Sequence, residues 1–172
     1  MRPLQEGDVS GLSRAYLRNR DHLRPWDPRR SEDFFTEQGQ ADRVRGQLTE
    51  RDAGRLVPWV LTLGHEVVGA VTLSNVVLGP FRSANLGYWV DAEQVGRGLA
   101  TAAARAACQV ADGQLGLHRI EAGAVLANPA SQRVLVKCGF DVIGTAPKYL
   151  HIDGEWRDHV LFQKILNGRS PG

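Results

Sequence analysis

The chain has 172 residues, 42% apolar and 23% charged, which suits one globular domain long enough to bury a core. A formal net charge of +2 is too balanced for nucleic acid as the main ligand, and the arginines, which far outnumber Lys137, Lys148 and Lys164, form no binding stripe. No apolar run approaches the roughly 20 residues of a membrane span, Met1-Arg2-Pro3-Leu4 begins no signal peptide, and Cys108 and Cys138 lack ligand spacing, so a reduced cytoplasmic protein without a metal or membrane anchor is expected.

Asp8 to Leu23 predicts a helix, with Asp8 as candidate N-cap and Val9, Leu12, Tyr16 and Leu23 partly on one face. Pro25 and Pro28 bracket Trp26 and Asp27 in a loop. A second helix follows from Ser31, where Glu32 and Asp33 suit the first turn, and Gly39 and Gly46 divide its polar middle into two potential short helices. Strands are expected at Val57–Leu63 and Glu66–Asn75, joined through Gly64-His65, and at Asn85–Val90. The segment from Gln94 opens an alanine-rich helix running to about Leu115. Arg119–Ala127 then reads as a strand, Pro129–Cys138 as a short helix and Phe140–Ala146 as a strand. Tyr149–Ile152 and Trp156–Ile165 flank Asp153-Gly154, a strong hairpin-turn signal. This order gives an α+β domain over residues 1–166, with one mixed, mostly antiparallel central sheet flanked by helices, and a flexible tail at 167–172.

Gln94-Val95-Gly96-Arg97-Gly98-Leu99-Ala100-Thr101 carries the most informative chemistry. Its glycines let a backbone approach a ligand closely, and the first helical turn after them presents unpaired N–H groups and the positive end of the helix dipole. The string is a phosphate cradle of an uncommon kind. A P-loop would need Gly-Lys-Ser/Thr where Gly98-Leu99-Ala100 stands, and the dinucleotide fingerprint would need Gly or Ala in place of Thr101.

Order and motif together resemble the GNAT superfamily of acyl-CoA-dependent N-acyltransferases. The cradle is similar to that family's Gln/Arg-x-x-Gly-x-Gly/Ala loop, and Asn128-Pro129-Ala130-Ser131 with Lys137-Cys138-Gly139-Phe140 resembles its Asn-x-x-Ser…Gly-Phe segment. Within the superfamily the likeness is greatest to the RimJ/RimL-like branch, which acetylates N-terminal residues of ribosomal proteins. It rests on the run from Tyr16 to Pro28, on Ser74-Asn75-Val76-Val77 and Leu86-Gly87-Tyr88, and on Tyr149-Leu150 followed by Asp153-Gly154 and Trp156-Arg157-Asp158-His159. Family members usually carry more first-strand residues before Arg2-Pro3-Leu4, so a short edge strand or an upstream start is expected.

The resemblance implies acetyl-CoA as donor, its pyrophosphate on the N–H groups from Val95 through Gly96, Arg97, Gly98 and Leu99 to Ala100. It further implies a pantetheine arm added as a pseudo-strand beside Trp89 and Val90, a contact from Asn128, and Ser131 as proton donor to the departing thiolate. Asn128 is also a natural helix cap ahead of Pro129, which leaves Ser131 free. The branch's glutamate before Tyr-Leu is here Lys148, an unsuitable base, so Glu121, Tyr149, His118, Asp153 and Asp158 stand as alternatives. Each has a structural reading as well: a salt bridge for Glu121, a hydrogen-bonded ring for His118, a turn residue for Asp153 and a structural acceptor for Asp158.

Need for a base depends on the acceptor. An α-amine with pKa near ~7.8 is about 14% neutral at pH 7, against about 0.04% for a lysine near ~10.4. The absence of an obvious strong base therefore suits an α-amine. Trp26, Asn75, Tyr149 and Trp156 are candidate walls of the acceptor groove, Trp156 being equally readable as core and Trp59 as core outright. The leading expectation is acetyl transfer by direct attack in a ternary complex, onto an N-terminal alanine or serine of a ribosomal or other protein. A small amine as acceptor, or a non-catalytic acyl-CoA-binding module, are the alternatives. A monomer or homodimer is expected.

Overall fold

Seven strands, β1 (Arg2–Pro3), β2 (Val57–Leu63), β3 (Glu66–Val77), β4 (Ser83–Val90), β5 (Arg119–Val125), β6 (Asp141–Ile152) and β7 (Glu155–Ile165), form one sheet in the order β1-β2-β3-β4-β5-β7-β6. The structure is a computed structural model that describes residues 1–171. All neighbouring pairs are antiparallel except β4 and β5, the mixed sheet expected from the element order.

Period-two alternation explains how the sheet buries both faces. Trp59 and Leu61 of β2 join Val71, Leu73, Ile120 and Phe162 beneath helices α4 (Leu99–Gly113) and α5 (Pro129–Lys137), so Trp59 is core as anticipated. Val60 points oppositely, joining Leu12, Ala15 and Tyr16 of α1 (Val9–Arg18) and Val44 of α3 (Glu37–Asp52). The side of α4 turned to the sheet is Ala103, Ala104, Ala107, Cys108 and Ala111, small side chains that let the helix lie close to the strands.

The front of the chain is more broken than its apolar spacing predicts. A 3-10 turn at Glu6–Asp8 precedes α1, and a four-residue α2 (Arg20–Leu23) and a second 3-10 turn at Arg24–Trp26 follow it. Asp8 does not cap α1; its carboxylate accepts from the Gln5 N–H and pairs with Arg2, anchoring the turn to β1. The next helix divides before Gly39: a 3-10 turn spans Glu32–Phe35, and α3 then runs unbroken through both glycines, capped by Thr36 accepting from the Gly39 N–H at 3.0 Å. A Cβ on Gly39 would lie 1.8 Å from the Asp33 carbonyl oxygen, which is why a helix breaker stands in that first turn.

At the far end, β6 is one strand from Asp141 to Ile152, irregular between Ala146 and Leu150, where Lys148 adopts φ 48°. Asp153 and Gly154 turn the hairpin with positive φ at both positions. Residues expected to begin a flexible tail are tied down. Asn167 Nδ2 donates to Asp112 Oδ1 and the Leu117 carbonyl, and Arg169 pairs with Asp112.

A buried network locks α1 to the end of β4. Asp91 Oδ2 accepts from Asn19 Nδ2 at 2.8 Å and Arg18 Nε at 2.6 Å, while Asn19 Oδ1 accepts from the Ala92 N–H at 2.8 Å. Burial by itself would raise the Asp91 carboxyl, but the donors from Asn19, the Glu93 N–H and Arg18 outweigh it and hold the group below the usual carboxylate range. With the folded-state value below the unfolded one, this contribution is present above about pH 4 and is lost as pH falls through the folded value. Asp91→Ala is expected to cost about 2–3 kcal/mol in urea unfolding at pH 7. That penalty should shrink progressively as pH falls below about 4, as the wild-type carboxylate is protonated and loses the same contribution.

Candidate functional site

The parallel pairing of β4 with β5 stops after Ser83–Arg119, Ala84–Ile120 and Asn85–Glu121. Beyond it β4 stays paired only to β3, as far as Val90 opposite Gly69, and β5 only to β7, as far as Val125 opposite His159. The strands part, and the facing edges of residues 86–90 and 122–125 lack each other as partners. Two cavities, of about 370 and about 340 Å³, open along this parting and share Leu23, Trp26, Tyr88, Trp89, Asn128 and Ser131.

The first cavity runs onto the start of α4, where Gly96 and Gly98 have φ of 81° and 80°, a backbone region that disfavours any side chain. The Gly98 carbonyl accepts the Ala102 N–H at 3.0 Å, while the N–H groups from Gly96 to Thr101 find no acceptor among the described residues. Val95, Gly96, Gly98, Leu99 and Ala100 line the cavity; Arg97 sits on the exposed side of the loop and does not. Two other cations, Arg133 and Lys137, one turn apart on α5, do line it. Free N–H donors, a helix N-terminus and two cations fit a diphosphate-bearing ligand, and a Cβ at Gly96 or Gly98 would be strained by φ rather than by crowding.

Ser131 stands where the cavities meet. Its Oγ lies 3.0 Å from the Tyr88 hydroxyl, whose own proton also reaches the Ser131 carbonyl at 3.2 Å. Burial pushes the Tyr88 phenol up to about 12 against the opposing hydrogen bond from Ser131, so Tyr88 keeps its proton at neutral pH. Asn128 Oδ1 accepts the Ser131 N–H at 3.0 Å and caps α5, leaving its Nδ2 group for the cleft. Trp89 and Val90 line the first cavity, and Trp89 Nε1 is anchored on the Tyr16 hydroxyl at 2.9 Å.

The second cavity passes from Ser131 and Asn128 between β4 and β5 to Trp26, Asp27, Arg30 and Arg43. His159 lines it, 3% exposed, and is a residue that sequence reasoning did not single out for chemistry. Its Nδ1 lies 3.0 Å from the Arg157 carbonyl oxygen, an acceptor only, so the proton sits on Nδ1 and Nε2 carries a lone pair with no partner among the described residues. Tyr149 packs beside that ring at 5.4 Å between centroids, and a Cβ on Gly123 would lie in ordinary contact with both, at 3.6 and 3.7 Å. The signal for His159 was its place in the closing hairpin strand, but its orientation depends on the β5–β7 register.

Tyr149 itself, 43% exposed, and the other candidates line neither of these two cavities. Glu121 pairs with Arg119 at 2.6 Å on the still-paired part of β5. Asn75 has φ 51° at the β3 irregularity, its Nδ2 3.4 Å from Asn85 Oδ1. Trp156 is 60% exposed against His151, neither core nor groove wall. His118 bonds the Asn167 carbonyl, and Asp158 accepts the Lys148 N–H at 2.8 Å, both structural roles. The tip residue Asp153 bonds back to the Asp27 carbonyl and faces Arg24 at 3.7 Å, closing the hairpin over the Trp26 loop.

Among the described residues no helix is long and apolar enough to cross a membrane. The family model described as Acetyltransferase (GNAT) domain matches residues 1–141. The chain is 34% identical over 175 aligned residues to the [ribosomal protein uS5]-alanine N-acetyltransferase of Escherichia coli (strain K12), covering 100% of this chain and 90% of that protein. Among solved structures, ribosomal-protein-S5-alanine acetyltransferase from Vibrio fischeri superposes with TM-score 0.94 at 33% identity, over 99% of this chain and 94% of the other. Mycobacterium smegmatis RimJ in complex with CoA-disulfide superposes with TM-score 0.91 at 36% identity, over 95% and 80%.

Removing the Asn128 cap separates its two duties. Asn128→Ala should lower stability by about 1 kcal/mol in thermal or urea unfolding, whereas Asn128→Asp, which still caps α5, should unfold within about 0.5 kcal/mol of wild type while losing the Nδ2 donor.

Proposed function

The chain belongs to the GNAT acetyltransferase family, and from that premise we propose that it acetylates the α-amine of a protein N-terminus, alanine or serine, of the kind ribosomal proteins carry. It is an acetyl-CoA-dependent N-acetyltransferase, and what the proposal adds is the acceptor and the residue roles. The observation that carries it is the end-to-end likeness, at 34% identity over 100% of the chain, to an enzyme named for an N-terminal alanine of ribosomal protein uS5. A cytoplasmic setting belongs to the same reading and suits two free, buried cysteines.

In this reading the free N–H groups from Gly96 to Ala100 hold the pyrophosphate beside Val95, whose own N–H is engaged by the Ala92 carbonyl, and Arg133 and Lys137 balance its charge. The freed edge of β4 at Trp89 and Val90 pairs with the pantetheine arm, Asn128 Nδ2 contacts it, and a free strand N–H faces the thioester oxygen as negative charge develops there. Bound acetyl-CoA supplies the activated acetyl group. The acceptor arrives through the second cavity past Trp26, and its ammonium gives a proton to His159 Nε2, with Tyr149 holding the ring. The neutral amine would attack the carbonyl carbon, and as the carbon–sulfur bond breaks the Ser131 hydroxyl, held by Tyr88, would give its proton to the departing sulfur and recover one from the attacking nitrogen. Glu121, engaged with Arg119, takes no step.

Steady-state turnover of acetyl-CoA with alanine- and serine-starting peptides beside a panel of small amines tests the acceptor. Peptides should be preferred at least tenfold in kcat/KM; preference for the amines, or binding without turnover, overturns the reading. Ser131→Ala should lower kcat about tenfold or more with little change in KM for acetyl-CoA. His159→Gln should lower kcat/KM about tenfold at pH 7, and the deficit should close above pH 9, where an α-amine is already neutral. An equal deficit at both pH values would make His159 structural. Trp26→Ala should raise the acceptor KM several-fold and leave the acetyl-CoA KM within about twofold; an unchanged acceptor KM removes Trp26 from the groove.

A further inference from the structure

The second cavity is lined by a cation that has no ion-pair partner among the described residues. Arg43, from the middle of α3, is half-buried and lines the cavity wall with its guanidinium over the Tyr16 ring at 5.2 Å and the Phe34 ring at 5.9 Å. It has no carboxylate within ion-pair distance and no hydrogen-bond acceptor among the described residues. Its neighbours are arranged differently. Arg30, stacked on the opposite partner Phe34 at 4.6 Å, is held by Asp27 at 2.9 Å, Arg20 by Glu32, and Arg24 by Asp153. Asp27 is the one carboxylate in the cavity lining, and it is committed to Arg30. Against Arg30 and Arg43 it leaves one positive charge uncompensated in the wall.

Arg43 is only partly covered and has no acceptor among the described residues, so an anion entering the cavity meets a cation with no competing partner. The rings of Tyr16 and Phe34 hold the guanidinium by cation–π contact, and its N–H groups have no acceptor among the described residues, which leaves them for a carboxylate that a guanidinium can take through two parallel hydrogen bonds. Tyr16 links this end to the centre, since its hydroxyl accepts from Trp89 Nε1 beside Ser131. A smaller cavity of about 240 Å³ shares Tyr16, Asp27 and Arg30 and adds Arg29, which also lacks an ion-pair partner, so the positive character continues outward along the acceptor's path.

We propose that Arg43 forms a carboxylate-binding subsite of the acceptor groove, so that the protein selects acceptors bearing an acidic group a short distance beyond the reacting amine. The inference rests on the acceptor reading given above and narrows it. In an extended peptide, advancing about 3.3–3.5 Å per residue, the acidic group would be an aspartate or glutamate side chain at the second to fourth position. The same chemistry could come from the α-carboxylate of a free amino acid or dipeptide, and the two sources are separated by the acceptors used.

The experiment uses alanine-starting hexapeptides in which glutamate, glutamine or lysine is moved through positions two to four, with alanine and alanyl-alanine beside them. Wild type and the variants Arg43→Gln and Arg43→Lys are compared by kcat/KM and, without any need for turnover, by calorimetric binding of the same peptides. At one position glutamate should exceed glutamine at least tenfold, through KM, and lysine should be poorest. In Arg43→Gln that ratio should fall below about twofold, while Arg43→Lys, a point charge without the planar fork, should keep part of it. If alanine or alanyl-alanine shows the Arg43-dependent gain and the hexapeptides do not, the carboxylate is the small molecule's own: the subsite stands and the protein-N-terminus reading falls. Equal values for glutamate and glutamine at every position, with no Arg43 dependence for the small acceptors, overturn the subsite. A loss in Arg43→Gln that is the same for acidic and neutral peptides would show Arg43 to be only a prop for Tyr16, and overturns it too.

Discussion

Two parallel strands that pair for three residues and then part set up everything else in this molecule. A parallel ladder between β4 and β5 would otherwise satisfy the backbone groups of residues 86–90 and 122–125 across the gap, and a closed sheet would have no cleft. Parting the strands leaves a row of backbone donors and acceptors facing a space that an extended, amide-bearing ligand can fill as an added strand. The cost of unpaired strand edges is limited because each strand keeps its outer partner: β3 continues beside β4, and β7 beside β5.

In the proposed reading the rest of the fold divides the cleft between two substrates. On one side α4 begins directly beyond β4, so its free N–H groups and the cations of α5 gather at the mouth of the parting. On the other, the 3-10 turn at Arg24–Trp26 and the β6–β7 hairpin lean together through the Asp153–Asp27 backbone bond. Tyr88 and Ser131 stand at the boundary, each contributed by an element from a different side of the gap, with a phenol whose proton is secured by burial. Asp91 and Asn19 fix α1 to the strand end just before the cradle, so the acceptor-side helices and the donor-side loop are positioned by one network.

Features encoded by short-range pattern were legible in the chain. The β2 and β3 runs joined through Gly64-His65, the Gly96/Gly98 cradle leading into alanines, the Asn128 cap and the Asp153-Gly154 turn each depend on residues within a few positions of one another. Features that depend on register or on contacts across the sheet were not. His159 faces the cleft only because it lies opposite Val125, and Trp156 is left outside by the irregular strand around Lys148. Arg133 and Lys137 displace Arg97 at the cradle because α5 packs on α4, a neighbourhood no local pattern announces. The helical spacing from Asp8 to Leu23 was real, but Asp8 is drawn to Arg2 and Asn19 to Asp91, and these long-range partners break the run into pieces.

In the proposed reaction an α-amine, and not another nucleophile, is presented to the acetyl group through the cavity beside Ser131 and His159. Its most direct test is to incubate the protein with acetyl-CoA and a peptide that starts with alanine and also contains an internal lysine, and to locate the acetyl group by fragmentation mass spectrometry. The acetyl group is expected on the N-terminal nitrogen, with the lysine unmodified. Acetylation of the lysine in place of the N-terminus, or no peptide product while small amines are acetylated, would contradict it.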